Sequence, residues 1–524
     1  MITLDLDPLV IVLTITSWGF QLIMYLTSWL IQLFPYCPLI NPDKQIEKIE
    51  HDYAIMIPCL NEETVITGTL DQFTKQSYNK QKIHVFIIND GSDDNTKEVV
   101  ETWIKNYQDE SGNIESQNKI NYHLFNIPHF IEQNGKQVKF ARQGKSIALN
   151  RCFTYIDNEC DNISKDNLII GIVDGDGKLD VDIIERANRK FWIPNVGGVN
   201  SSIRIKNTHS LWDNLISLGG NCKCFIKEKK VSLWTICQDI EFLVIARLGN
   251  WIRGRFLDNA FMGGNGQFMR YEVLKQLEEE DGYVWSYDAL TEDMDIGIRA
   301  YMKGWKGKQL FSTFVRQEGL NDIRSLWRQR TRWSWGNVQV FFRYCINLKI
   351  LWNTKYTSIF SRLDTLFLLS NSFFWMILIP LSFILSILYW SRTIELTFTL
   401  SPLLMWVNGL VWLVFPFIGI LSEKEYRWRV IPCTLLYFVY VFIFSLTFIP
   451  AYYNVITCKK VKWAKTAREA ETNVMKTTKK IMVQSSLKNQ SELKKTVNEN
   501  EIIPIIERID SDMSRESIIS LNSH

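Results

Sequence analysis

Several short stretches of this 524-residue chain set carboxylates and cations where chemistry would need them. In "IIGIVDGDGKLD" an almost wholly apolar run ends in Asp174-Gly175-Asp176, two carboxylates one residue apart beside glycines. That spacing suits a hard divalent cation, Mg²⁺ or Mn²⁺, which takes oxygen ligands and leaves room for phosphate oxygens. A solvated turn is the plainer alternative, and the apolar run leading into it weighs against that. "IHVFIIN" passes straight into "DGSDDNT", so Asp90 closes a strand where a carboxylate can accept hydrogen bonds from a nucleotide base or ribose. An Asp-Gly after a strand also makes an ordinary turn. In "ALTEDMDIGIRAYMKGWKG", Thr291 is of helix N-cap type, and Glu292, Asp293 and Asp295 crowd the first turn. Such acids often do no more than cap; facing a cation site, one could act as a general base toward a hydroxyl.

"RQGKSIALN" (142–150) puts Arg142 and Lys145 near a helix start, where cations and free backbone N–H groups could hold phosphate or simply make surface ion pairs. "GGNGQFMR" (263–270) is too irregular for a nucleotide loop; its glycines either admit a ligand close to the backbone or form a turn. "RQRTRWSWG" (328–336) gathers three arginines and two tryptophans about thirty residues before a long apolar run.

The elements that must position these groups follow from periodicity. Between about 45 and 335, short β-branched runs alternate with longer helical periods, as in a mostly parallel α/β sheet. "YAIMIP", "IHVFIIN" and "NLIIGIVD" are the clearest strands, each ending in a polar loop, and open α/β sheets bind ligands beyond the carboxyl ends of their strands. Four apolar runs, about 8–35, 363–390, 397–421 and 430–456, read as membrane spans. Asp5 and Asp7 precede the first and Lys44 and Lys48 follow it, which places the amino terminus outside and residue 45 onward in the cytosol. Three later crossings would leave the tail outside, whereas Lys459, Lys460, Lys462, Lys465 and Arg468 favour the inside; one run is then re-entrant, interfacial or miscounted. Residues 335–352 mix apolar side chains with Arg343 and Lys349, as an interfacial helix would.

A net charge of +3, with no basic block beyond the 328–336 stretch, argues against nucleic acid as a partner. The ten cysteines show no paired zinc spacing and read as reduced thiols.

Taken in order, these segments resemble the membrane-embedded family 2 glycosyltransferases, the group that includes cellulose, hyaluronan and chitin synthases. The markers are Asp90, the D-x-D at Asp174 and Asp176, the "TED" at Thr291, Glu292 and Asp293, and "QRTRW", which fits Q-x-x-R-W. The resemblance implies a GT-A α/β catalytic domain in the cytosol, with a bundle of transmembrane helices and interfacial helices. It also implies inverting transfer from a UDP-sugar. Asp90, Arg142, Lys145, Asp174 and Arg332 would bind the nucleotide sugar, and Asp174 and Asp176 would bind Mg²⁺ or Mn²⁺. Asp293 would be the catalytic base beside Glu292. Gln329, Trp333 and Thr291 would bind the acceptor, with Trp333 offering a flat face to its terminal sugar; membrane-interface anchoring is the other reading of that tryptophan.

The spellings "TED" and "QRTRW" look more like glucan synthases than like hyaluronan or chitin synthases. The loop opens Asn89-Asp90 where relatives often show two aspartates, and no "FxVTxK" gating loop is present. "KWAKTAR" (462–468) resembles a W-x-K-T element found after the last span of related synthases.

The expectation is therefore a multi-pass protein of the plasma (inner) membrane that polymerises a β-linked polysaccharide, a β-glucan, and passes the growing chain across the lipid bilayer. The alternatives are a non-processive enzyme adding one sugar to a lipid carrier, or a synthase of the hyaluronan, chitin or poly-N-acetylglucosamine type. The organisation expected is an anchor over 1–40, a catalytic domain over 41–335, an interfacial helix region over 336–361, membrane helices over 362–457 and a polar tail over 458–524.

Overall fold

A computed structural model describes residues 2–5, 48–110, 119–133, 136–208, 233–346, 357–370, 394–397 and 430–459, together with a few isolated positions. The centre is an eight-stranded mixed sheet. Its strands are β1 (Asp52–Cys59), β2 (Ile83–Asn89), β3 (Asn121–Asn126), β6 (Leu168–Ile172), β7 (Lys178–Leu179), β8 (Val196–Ile205), β9 (Gln267–Arg270) and β10 (Lys306–Gln317). Their order is β3-β2-β1-β6-β9-β8-β10-β7. A separate antiparallel hairpin joins β4 (Phe130–Gln133) to β5 (Lys136–Lys139).

β1, β2, β3 and β6 run parallel, whereas β9 runs antiparallel to both its neighbours. All seven residues of β2 and all ten of β8 are buried, which is why neither strand alternates apolar with polar residues; the polar members His84, Asn89, Asn200 and Arg204 are buried with the rest. Alternate side chains of β1 then serve two cores. Tyr53, Ile55 and Ile57 pack with α1 (Ile66–Thr74), α2 (Thr96–Glu110) and α4 (Ile183–Phe191). Ala54 and Met56 pack with α3 (Lys145–Glu159), α7 (Tyr271–Asp281) and α8 (Glu292–Met302). The sheet is covered on both faces, and the loops after β1, β2 and β6 open at one end, where ligands of such sheets gather.

The remaining helices close that end. α5 (Leu233–Glu241) continues through a π-helical stretch, Phe242–Gly249, into α6 (Asn250–Phe256). α9 (Ile323–Val340) carries the whole 328–336 stretch, starts at Asp322, whose side chain accepts from Ser325 N, and continues without a break past residue 335 into a π turn, Phe341–Cys345. α10 (Val430–Ser445) packs on α5, and α11 (Phe448–Ile456) packs along α9. Among the described residues Ile431–Ile456 is the one helical run long and apolar enough to cross a membrane. The expected spans over 8–35 and nearly all of 397–421, most of 363–390, residues 347–356 of the interfacial region and the tail from 460 lie outside the described residues. A bundle of several membrane helices is therefore not shown.

Asp295 ties α8 to the π turn that follows α9. It is fully buried, its Oδ1 accepts from Arg343 Nη1 at 2.9 Å and from Tyr344 OH at 2.7 Å, and its Oδ2 accepts from Arg299 Nε at 3.1 Å. Without Asp295, Arg343 keeps Asp288 and Arg299 keeps Asp281, but the Tyr344 hydroxyl and one donor of each guanidinium lose their buried acceptor. Asp295→Ala is thus expected to destabilise the fold by about 1–3 kcal/mol. The check is the midpoint of thermal unfolding in detergent, and an unchanged midpoint would rule out a stabilising role.

Candidate active site

The three carboxyl ends, the start of α8 and the middle of α9 enclose one cavity of about 410 Å³. Its floor is charged. Lys145, the first residue of α3, places Nζ 2.9 Å from Asp174 Oδ1 and 3.6 Å from Glu292 Oε1, and donates to Gly264 O at 3.0 Å. Burial works against its ammonium form, but Asp174 and Glu292, with Asp293 behind them, outweigh burial and hold it charged above its ordinary range. Asp174 is positioned by its own N–H, which donates to Asn265 Oδ1 at 3.1 Å; Asn265 Nδ2 donates in turn to Gln317 Oε1 at 3.0 Å.

Asp293 lies beside this cluster. A β-carbon built on Gly264 would stand 3.2 Å from Asp293 Oδ2 and 3.4 Å from Lys145 Nζ, so that loop comes close to the carboxylate because position 264 has no side chain. Desolvation, reinforced by the negative charge of Glu292 and opposed by Lys145, pushes Asp293 up to about 7. A carboxylate so placed is a usable base at neutral pH.

Asp174 and Asp176 line the same cavity, and Asp176, 3 % exposed, accepts from Glu318 N at 3.4 Å through Oδ2. Among the described residues no three Asp, Glu, His or Cys side chains converge as a metal cage. Two hard carboxylate donors without a cage fit Mg²⁺ or Mn²⁺, which keep water and phosphate oxygens in the rest of their shell.

Asp90 is buried at the end of β2 and lines the cavity; burial raises its carboxyl, against the opposing hydrogen bond from Arg142 N at 2.8 Å. Arg142 is placed differently from its expected role on phosphate. Its backbone takes φ +58°, and its guanidinium donates to Gly91 O through Nε at 2.8 Å and pairs with Asp93, so it braces the Asp90 loop and does not line the cavity.

Thr291 does occupy the N-cap position of α8, but its side chain makes no capping hydrogen bond. Its Oγ1 is buried without a partner, because the residue is packed against Gly336 of α9. Gln329, Arg332 and Trp333 line the opposite wall, with the Trp333 and Phe242 ring centroids 6.3 Å apart and their planes at 70°. Apolar side chains that sequence reading did not single out, Ile203, Phe242, Ala246, Met262 and Leu320, complete it. Glu62, Asn200 and Asn265 also reach the cavity. Glu62 follows the end of β1 as Asp90 follows β2, a signal that was available; Asn200, in mid-strand, carried none.

The chain matches known protein families. Three family profiles cover the chain in succession: "Glycosyl transferase family 2" over 54–118, "Glycosyltransferase like family 2" over 132–336 and "Glycosyl transferase family group 2" over 247–457. The chain carries family 2 glycosyltransferase domains. Their fold is GT-A-like: the mannosyltransferase PcManGT of Pyrobaculum calidifontis, solved with GDP-Man and Mn²⁺, superposes with a TM-score of 0.50 over 87 % of this chain and all of its own, at 15 % identity.

Among curated relatives of the glycosyltransferase domains, the β-monoglucosyldiacylglycerol synthase of Synechocystis is 23 % identical over 300 residues, 56 % of this chain and 49 % of that protein. The poly-β-1,6-N-acetyl-D-glucosamine synthase of Staphylococcus aureus is 23 % identical over 307 residues, 58 % of each chain. The chain thus matches about half the length of these relatives.

Proposed function

We propose that this glycosyltransferase moves a hexosyl group, with inversion, from a UDP-sugar to an acceptor hydroxyl held at Trp333, and repeats the step to build a β-linked polysaccharide, a β-glucan, at a membrane. The observation that carries the reading is one cavity lined by the Asp174–Asp176 pair, a raised-pKa Asp293 and an indole. In the step, the acceptor oxygen forms a bond to the anomeric carbon while the bond from that carbon to the diphosphate oxygen breaks. The hydroxyl proton passes to Asp293, and the bonding pair leaves on the nucleotide. Asp174 and Asp176 would hold the Mg²⁺ or Mn²⁺ that offsets charge on the departing diphosphate. Lys145 at the floor and Arg332 on the facing wall add cationic charge to the cavity, and Glu292 keeps Lys145 turned toward Asp174.

Membrane placement is supported by exposed apolar side chains on α10 at helical spacing, Ile431, Leu435, Phe438 and Val439. The strand Ile2–Asp5 pairs in parallel with Ile394–Thr397, and each leads toward an apolar run. Both runs would then enter the bilayer from one side, in keeping with single crossings over 8–35 and 363–390 and a cytosolic catalytic domain.

A second reading, single transfer to a lipid, is favoured by the apolar wall of Phe242, Ala246 and Leu320. Purified protein in nanodiscs is expected to release UDP from UDP-glucose in preference to UDP-N-acetylglucosamine, only with Mg²⁺ or Mn²⁺ present, and to form a glycanase-sensitive polymer. Short lipid-linked product would select the second reading, and no release from either donor would overturn both.

A further inference from the structure

Arg330 belongs to the 328–336 stretch, yet nothing in the reaction above uses it. Its guanidinium is buried, 4.1 Å over the Trp333 ring, and its Nη1 donates to Gln329 Oε1 at 3.1 Å. One cation therefore touches both side chains on which acceptor binding depends. It is held in turn from two other helices. Nε donates to Tyr440 OH of α10 at 3.0 Å, Nη2 pairs with Glu241 at the end of α5, and Tyr440 OH donates to the same Glu241 oxygen at 2.7 Å. Phe242, the next residue after Glu241, packs against the Trp333 ring at a steep angle.

A largely desolvated Arg–Glu pair with a tyrosine is a poor way merely to glue helices, since apolar side chains of similar volume often do so as well or better. What a guanidinium adds is a planar group with fixed donor directions that stacks on an aromatic face. Glu241 and Tyr440 fix that plane, and the plane fixes the indole. We propose that Arg330, locked by Glu241 and Tyr440, is the positioning residue that orients Trp333 and Gln329 for the acceptor. Through Tyr440 the membrane-side helix α10 then bears directly on acceptor geometry. The inference rests on the acceptor role given to Trp333 above.

The test uses full-length protein in nanodiscs, UDP-glucose as donor, and cellotetraose or dioctanoylglycerol as separate acceptors. Tyr440→Phe removes both hydrogen bonds of that hydroxyl at nearly unchanged volume and is expected to raise acceptor KM roughly three- to tenfold. Arg330→Met is expected to raise it about tenfold or more, with Arg330→Lys between the two. Donor KM and acceptor-free UDP release should stay at the wild-type level in Tyr440→Phe. A merely structural role would lower kcat and both KM-dependent terms together, or lower the melting midpoint alone; either result overturns the proposal, as does an unchanged acceptor KM in both Tyr440→Phe and Arg330→Met. A wild type inactive with every donor would instead sink the transferase reading. The Arg330–Trp333 stack would then be read from near-UV circular dichroism: Trp333→Phe should change the spectrum of the parent and leave that of Arg330→Met nearly unaltered, and equal changes in both would overturn the inference.

Discussion

Asp293→Asn is expected to lower transfer to an acceptor by about 10²–10⁴-fold, the usual contribution of a positioned general base, while leaving donor binding near its wild-type level. The asparagine amide matches the carboxyl in shape, so the loss would isolate the proton acceptor from packing. Because burial and Glu292 push Asp293 up to about 7, the wild-type rate should rise with pH through that value and level off above it, where the base is ionised. The sign for stability is opposite. A carboxyl whose folded pKa is raised binds its proton more tightly when folded, so its contribution is complete below about 4, the unfolded value, and is lost as pH rises through about 7. Asp293→Asn abolishes that loss, and its melting midpoint should gain on the wild type between those limits. A flat rate profile over pH 6–8, or a variant with near-normal transfer, would assign the base elsewhere.

Gly336→Ala is the second large effect, and it comes from a single added methyl group. Glycine inside a helix is ordinarily worse than alanine by about 0.5–1 kcal/mol, so propensity alone predicts a more stable α9. Space reverses the sign. A β-carbon at 336 would lie 2.5 Å from Thr291 Cγ2, 2.7 Å from its Oγ1 and 2.9 Å from its backbone N. The helix bearing Gln329, Arg332 and Trp333 would have to withdraw from the start of α8, which bears Asp293. Misplacement of reacting groups by about 1 Å can cost roughly 10²-fold, and a loss of that order in kcat/KM is expected with the fold retained. Adding Thr291→Ala removes two of the three contacts and should restore part of the rate; Thr291→Ala alone should cost little, since its hydroxyl makes no hydrogen bond. Wild-type kinetics for Gly336→Ala would show that α8 and α9 need not touch.

The two predictions divide what local sequence carries from what it does not. β2 and β6 were legible because seven and five consecutive buried residues are mostly apolar, with His84 and Asn89 the polar members of β2, and the carboxylates at their ends were legible because the polarity changes abruptly there. The α8 start was legible from three acids in one turn, and α9 from its arginines and tryptophans. These signals come from burial and periodicity over a few residues, and they are written in the order of the chain.

Contacts between distant segments leave no such trace. That Thr291 packs instead of capping follows from Gly336, 45 residues away, and that Arg142 braces a loop follows from Asp90, 52 residues away. Arg330 meets Glu241 and Tyr440 across separations of 89 and 110 residues. Local residue patterns dictate an α/β sheet with acids at its strand ends, a cation-rich aromatic helix and apolar runs beside them. Which of those groups share a cavity and which brace it depends on how distant segments pack. Side-chain chemistry and helix or strand period are local properties, whereas shared space is a property of chain crossings that no short window of residues contains.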